Sequence, residues 1–136
     1  MKQDNCIFCK IIAGEIPSQA IYEDEKFRVI LDVAPAAKGH ALILPKDHYA
    51  NLYELPDDLA ADTIRLAKKM MKVMTDKLGC DGFNILQNNG ETAGQSVFHF
   101  HMHLIPRYEN DGDILKYNPG NPGGKELEQI KKMIME

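Results

Sequence analysis

The chain has 136 residues, 44% of them hydrophobic and 26% charged, a balance that suits one globular domain with a sizeable core and excludes disordered and fibrous classes. With 16 Lys and Arg against 20 Asp and Glu, the formal charge is −4 and the pI is near 5.7. That charge argues against a nucleic-acid partner but leaves room for a locally positive phosphate pocket.

Met1-Lys2-Gln3-Asp4-Asn5 has no apolar signal core, and no run approaches the ~20 apolar residues that span a bilayer. The expectation is a cytoplasmic protein with no membrane partner. From the N-terminus, CIFCKIIA (Cys6 to Ala13) carries apolar residues at helical spacing and stops at Gly14, which predicts a short helix. Ala20 to Glu23 and Phe27 to Asp32 flank the charged turn Asp24-Glu25-Lys26 and read as a β-hairpin. A buried strand is expected over His40 to Leu44, ended by Pro45.

Pro56 to Leu78 is the clearest helix, with Asp57 and Asp58 in its first turn, Lys77 in its last, and Gly79 just beyond. Its apolar residues form two adjoining rows, Leu59, Thr63, Leu66, Met70, Val73 and Ile64, Ala67, Met71, Met74, Leu78, a stripe wide enough to pack on a sheet face. Gly82 to Asn88 and Val97 to Pro106 supply two more strands across the polar loop Asn89 to Gln95. Asn118 to Gly124 reads as loop, and Lys125 to Glu136 as a terminal helix that docks through Leu127, Ile130 and Ile134. The sum is an α+β fold: a five-stranded, mainly antiparallel sheet with one long helix and short terminal helices, in a single domain over 1–136 with its core at 6–107 and a tail at 108–136.

The run Phe98-His99-Phe100-His101-Met102-His103-Leu104-Ile105 alternates strictly. On a strand, alternate side chains share a face, so three imidazoles line one side while Phe98, Phe100, Met102 and Leu104 enter the core. A terminal tag would lack the interleaved hydrophobics, and a solvated face would use Lys, Glu and Thr. A single metal needs nitrogens ~2.0–2.1 Å away, yet His at i and i+4 on a strand lie about 13 Å apart. At least one histidine is therefore left for nucleophilic or acid–base work on an anionic substrate. Gly94-Gln95-Ser96 just upstream offers donors for phosphoryl oxygens. Three cysteines, Cys6, Cys9 and Cys80, are too few for a disulfide scaffold, so Cys6-x-x-Cys9 reads as metal-binding or redox.

In these residues the chain resembles the histidine triad (HIT) family of nucleotide hydrolases and transferases, through HFHMHLI preceded by Gln95-Ser96-Val97, IFCKIIAGEIP, the segment Asp32 to His40, LILPKDH and Asn88, all in family order. It looks like the bacterial branch that hydrolyses nucleoside phosphoramidates and dinucleoside polyphosphates, rather than the transferases with His-Pro-His. The resemblance implies that His101 attacks the α-phosphorus and forms a covalent nucleotidyl-histidine, which water then hydrolyses. It further implies that His103 and Ser96 contact phosphate oxygens or the leaving group, with Gln95 positioning them and His40 completing the catalytic cluster. Asp32 would bind the ribose hydroxyls, Phe8, Ile11, Ile16 and Ile30 would form an apolar slot for the base, and Asn88 joins the nucleotide-binding positions. Without the resemblance those four apolar residues are ordinary core, Asp32 is a strand-end turn residue, and His40 is a satisfied core histidine.

Some bacterial members of the family hold zinc at positions matching Cys6, Cys9, His48 and His99, a Cys2His2 set that would leave His101 and His103 free; structural Zn2+ is expected here. Family members also pair, so a homodimer through the long helix and a sheet-edge strand is expected. Two rival readings stay open: a nucleotide-binding regulatory protein with little or no turnover, and a hydrolase whose zinc activates water. Adenosine phosphoramidates, diadenosine polyphosphates and adenylyl sulfate are all candidate substrates.

Overall fold

The computed structural model describes residues 3–136. Cys6 opens helix α1 (Ile7–Ile12) as its N-cap, its sulfur accepting the Cys9 amide at 3.4 Å. Strands β1 (Ala20–Glu23) and β2 (Phe27–Leu31) form the expected hairpin. Asp24 closes its turn, Oδ1 accepting the amides of Lys26 at 2.8 Å and Phe27 at 2.7 Å. β2 stops one residue short of Asp32 because that carboxylate accepts the Ala34 amide at 2.8 Å and turns the chain. β3 (Ala41–Pro45) starts just after His40 rather than on it.

Helix α2 (Asp57–Leu78) takes Pro56 as its N-cap and ends on Gly79, whose φ of 67° is the left-handed cap that glycine adopts most easily. β4 (Gly82–Leu86) follows, then a single 3-10 turn at Glu91–Ala93, β5 (Met102–Arg107) and helix α3 (Gly124–Met135). The strands form one sheet in the order β1-β2-β3-β5-β4, every neighbouring pair antiparallel. His103 on β5 lies between Leu42 on β3 and Leu86 on β4.

Both faces of the sheet centre are covered, which is why all five residues of β3 are buried. Phe27, Val29, Ala41, Ile43 and Leu104 pack under α2 through Leu66, Ala67, Met70 and Met74. On the opposite face Ile30, Leu42 and Leu44 pack against Phe8, Cys9 and Ile11 of α1. The alternation of β2 and β3 thus assigns one set of side chains to the long helix and the other to the face that carries the histidines.

Three expectations are corrected. The histidine strand was expected from Val97, but regular strand begins only at Met102. The β3 ladder reaches no farther than Met102 and the β4 ladder stops at His103, so upstream of these the backbone bonds elsewhere; Phe100 N–H donates to the Tyr49 carbonyl at 2.6 Å. In consequence Phe98, expected in the core, is 50% exposed. The expected docking of α3 is absent: none of its residues is buried, and Leu127, Ile130 and Ile134 stand open to solvent, because α1 and α2 already cover the sheet faces. The α2 stripe is also wider than the sheet it meets, leaving Ile64 and Val73 exposed.

Candidate active site and metal centre

Gln95 anchors the approach to the histidines. Buried, it is held on both ends of its carboxamide: Oε1 accepts the Gly90 amide at 2.9 Å, and Nε2 donates to the carbonyls of Ala50 at 2.7 Å and Val97 at 2.9 Å. A satisfied buried amide of this kind staples the glycine-containing loop and fixes where Ser96 begins. Gly94, with φ of 97°, makes the turn into it.

All five histidines of the chain then stand in one row. His48 and His99 have ring centroids 5.0 Å apart, and Phe8 stands edge-on to His99 at 5.9 Å and to His101 at 5.0 Å. His101 and His103 are 5.1 Å apart, as are His103 and His40.

The hydrogen bonds assign the protons along this row. His101 Nδ1 lies 2.8 Å from the His99 carbonyl; a carbonyl only accepts, so Nδ1 carries the proton and Nε2 keeps its lone pair. Ala36 N–H donates to His40 Nδ1 at 2.9 Å, which places the proton of neutral His40 on Nε2. That Nε2–H then donates to His103 Nδ1 at 2.9 Å, so His103 carries its own proton on Nε2. His99 Nε2–H donates to the Pro45 carbonyl at 2.8 Å, leaving its Nδ1 lone pair facing the cysteines.

Burial reinforces neutrality. It pushes His99 and His103 down to about 4 from an ordinary 6.5, and neighbouring imidazoles add to the shift. His101 and His40 are also lowered, chiefly by burial, with the His99 carbonyl opposing the shift at His101 and Asp32 opposing it at His40.

A cavity of about 240 Å³ opens beside the row, walled by Phe8, Ile11, Ile30, Asp32, Ser96, His101 and His103, with Ile7, Pro17, Ser18, Leu31, Val33, Leu42 and Val97 completing it. Most of the expected nucleotide-binding residues therefore meet. His40 stands behind His103 rather than on the wall, Ile16 packs behind α1, and Gln95 acts as the loop staple. Asn88 lies off the cavity, its amide donating to the Gly94 carbonyl at 3.4 Å. Asp32 divides its work: Oδ1 serves the turn, and Oδ2 lies 3.5 Å from His40 Nε2. Sequence reasoning missed Ile7, Val97 and Leu42; the alternation of β3, which puts Leu42 beside His103, was the available signal. A wider depression of about 490 Å³ between the hairpin and α2 holds no such chemistry, since its cations Lys26 and Arg65 are spent on Asp62 and Lys69 sits over the Tyr22 ring.

At the other end of the row, Cys6, Cys9, His48 and His99 bring four ligand atoms within 4.8 Å of one another. Cys6 Sγ and Cys9 Sγ each lie 3.5 Å from His99 Nδ1, and Cys9 Sγ lies 3.4 Å from His48 Nδ1. Tetrahedral bonds of ~2.3 Å to sulfur and ~2.0–2.1 Å to nitrogen set such ligands about 3.5 Å apart, so the side chains fit one ion without rearrangement. Asp32, His40 and His103 also cluster within 4.8 Å, but there the His40 and His103 nitrogens that face each other are already joined by a hydrogen bond.

The HIT domain family model matches residues 13–110. The chain belongs to the HIT family. An uncharacterised HIT-like protein of Methanocaldococcus jannaschii is 49% identical over 129 residues, covering 95% of this chain and 98% of its own. An adenosine 5'-monophosphoramidase of Saccharomyces cerevisiae is 46% identical over 110 residues, 81% of this chain and 67% of its own. A solved Streptococcus mutans structure superposes with a TM-score of 0.92 at 40% identity, covering 98% of this chain and 85% of its own. The five-stranded antiparallel sheet is thus the HIT fold, and no helix among the described residues is long and apolar enough to cross a membrane.

The proton assignments make one direct prediction. His103 should titrate by NMR with a midpoint near 4 and show the Nε2–H tautomer at pH 7. Its folded pKa lies below the ordinary 6.5, so the unfolded chain takes up a proton first as the pH falls. His103 then contributes a loss of stability between 6.5 and about 4, and no pH dependence above that window. A midpoint at or above 6.5 would contradict the neutral His40–His103 pair.

Proposed function

We propose that this protein hydrolyses nucleoside 5'-phosphoramidates at the α-phosphorus through a covalent nucleotidyl intermediate on His101. The observation that carries the proposal is the 2.8 Å bond from His101 Nδ1–H to the His99 carbonyl, which leaves a neutral Nε2 lone pair on the one histidine between Phe8 and His103 on the cavity wall. The relationship to the yeast adenosine 5'-monophosphoramidase supports the same class of bond.

In the first step His101 Nε2 forms a bond to phosphorus as the P–N bond to the leaving amine breaks. The bonding pair departs with the amine nitrogen, which takes up a proton from solvent and leaves as a neutral amine. Water then adds to phosphorus and the P–N bond to His101 breaks, its electron pair returning to Nε2; the water gives up one proton to solvent, balancing the one consumed earlier, and the nucleoside monophosphate is released. Two easier displacements replace one difficult one. His103 Nε2–H and the Ser96 hydroxyl donate to the phosphoryl oxygens or the departing nitrogen as charge develops there. His40 fixes the His103 tautomer, Asp32 takes the ribose hydroxyls, and Phe8, Ile11 and Ile30 grip the base.

Cys6, Cys9, His48 and His99 would hold a zinc ion, which when bound supplies a structural cross-link between α1 and the triad segment. Exposed Ile64 and Val73 on α2 and Ile85 on the edge strand β4 would be covered by a second copy of the chain, giving a homodimer.

A turnover panel of adenosine phosphoramidate, diadenosine tetraphosphate and adenylyl sulfate, read by mass spectrometry, should find the phosphoramidate hydrolysed fastest. The same instrument should trap on intact protein an adduct one nucleoside monophosphate heavier. His101→Ala should lower kcat by at least about a thousandfold while nucleotide binding persists; near wild-type rates would remove the nucleophile assignment. Protein purified without chelator should contain one zinc per chain, and Cys9→Ala should lose it together with several degrees of Tm; metal-free wild type would rule the centre out. Sedimentation at micromolar concentration should give twice the 15.3 kDa chain mass, and a monomer would refute the pairing.

A further inference from the structure

The far end of the histidine-row cavity carries a charge that the proposed chemistry does not use. Val29 packs under α2 and Ile30 on the histidine face, so alternation puts Arg28 on the histidine face with Ile30 and Asp32, at steps of about 7 Å. With phosphorus at His101, ribose at Asp32 and the base over Ile30, Arg28 comes next, beyond the base. Its guanidinium meets the cavity wall through Ser18, Nη2–H donating to Ser18 Oγ at 3.1 Å.

Two features set Arg28 apart from an ordinary surface cation. Its Nε–H is buried and meets no acceptor among the described residues, and a buried donor left unpaired costs stability. Its charge is also incompletely balanced. Nη1 lies 3.4 Å from Glu23 Oε2, yet the same oxygen lies 3.1 Å from Lys46 Nζ, so one carboxylate is divided between two cations. A positive field is therefore left behind Ser18. The contact also aims the serine. A guanidinium only donates, so the Ser18 proton cannot turn toward Arg28 and is free for an acceptor in the cavity.

The edge of a purine farthest from its sugar bears the 6-substituent. A 6-oxo group is an acceptor with partial negative charge, whereas a 6-amino group presents positive hydrogens. We propose that Ser18, positioned by Arg28, reads this edge and makes the cavity favour 6-oxopurine nucleotides over 6-aminopurine ones. This assignment rests on the proposed nucleotide chemistry of the cavity and deepens it by naming the base. The Ser18 hydroxyl donates to the 6-oxygen, and the charge behind it polarises that bond in its favour. A 6-amino group meets the same charge with its hydrogens foremost. Arg28 touches no substrate atom and acts through Ser18, as a positioning residue.

The test compares the 5'-phosphoramidates of guanosine, inosine and adenosine. Guanosine and inosine share the 6-oxygen and differ at the 2-position, so both should show a kcat/KM about tenfold above adenosine. Arg28→Met keeps the apolar stem and removes the guanidinium; it should lower the guanosine-to-adenosine ratio at least about fivefold, through the KM of the 6-oxo substrates. Ser18→Ala should do the same, and Arg28→Lys should keep part of the preference that Arg28→Met loses. A purely structural role would move all three substrates together and leave the ratio intact. Thermal melts establish that the variants fold, and Ser18→Ala decides the matter if Arg28→Met does not. Equal wild-type rates on guanosine and adenosine substrates would overturn the proposal, as would an unchanged ratio in Ser18→Ala. Preference for guanosine without inosine would put recognition at the 2-amino group, and the proposal would equally fall. If the wild type cleaves none of the three, the hydrolysis itself is removed, and calorimetric Kd values for inosine and adenosine 5'-monophosphates decide the base edge instead. Tighter binding of the 6-oxo nucleotide would then support it, and equal binding would overturn it.

Discussion

The burial of one imidazole organises the site. His99 has no exposed surface, and both ring nitrogens and its carbonyl are committed: Nε2–H to the Pro45 carbonyl, Nδ1 toward the sulfurs of Cys6 and Cys9, and the carbonyl to Nδ1–H of His101. A buried polar side chain left without partners costs about 1–3 kcal/mol per group, so these contacts form together. Through them the end of β3, the start of α1 and the nucleophile candidate are held in one geometry. The tautomer of His101 is thus set by a backbone atom of the very residue that faces the cysteines.

A second backbone constraint works at the far end of the row. Asp32 N–H donates to the His40 carbonyl at 2.9 Å, and the Ala36 amide meets the His40 ring. Gly39 makes this loop possible: its φ is 88°, and a Cβ there would lie 2.6 Å from Leu78 Cδ1 of α2. The packing of the long helix on one face therefore reaches through a glycine to the tautomer of a histidine on the other. Fold and proton placement are linked by sterics as well as by hydrogen bonds.

Much of this was legible in the sequence. The hairpin, the span of α2 and its glycine cap, and the strict alternation of the histidine segment follow from periodicity and turn chemistry, and Cys6-x-x-Cys9 marked the two thiols that the fold sets beside His48 and His99. What escaped depended on partners distant in the chain. Alternation looks the same in a paired strand and in an extended bend, so nothing local revealed that Phe100 would bond to Tyr49 and turn Phe98 outward. Helical spacing in Leu127, Ile130 and Ile134 shows an amphipathic helix but not whether a face remains for it to cover. The roles of Gln95 and Ala36 rest on single hydrogen bonds to loop backbone, which no composition or spacing signal encodes.

The crowding of five imidazoles also decides what kind of charge the site can offer. Rings spaced about 5 Å apart in a low-dielectric row cannot all be protonated, because each added charge raises the cost of the next. With His99 and His103 both pushed to about 4, the row is neutral at pH 7 and presents oriented N–H dipoles rather than formal cations. Such dipoles favour charge that develops during reaction without binding a highly charged ground state tightly. On the proposed function, a monoanionic phosphoramidate would gain more from that field than a polyphosphate, whose several charges would remain uncompensated. Burial acts on the proposed nucleophile in the same direction: it lowers His101 below the usual imidazole range, while the His99 carbonyl and Asp32 oppose the shift. The neutrality of the row and, on the proposed function, a preference for a lightly charged substrate thus follow from one packing arrangement.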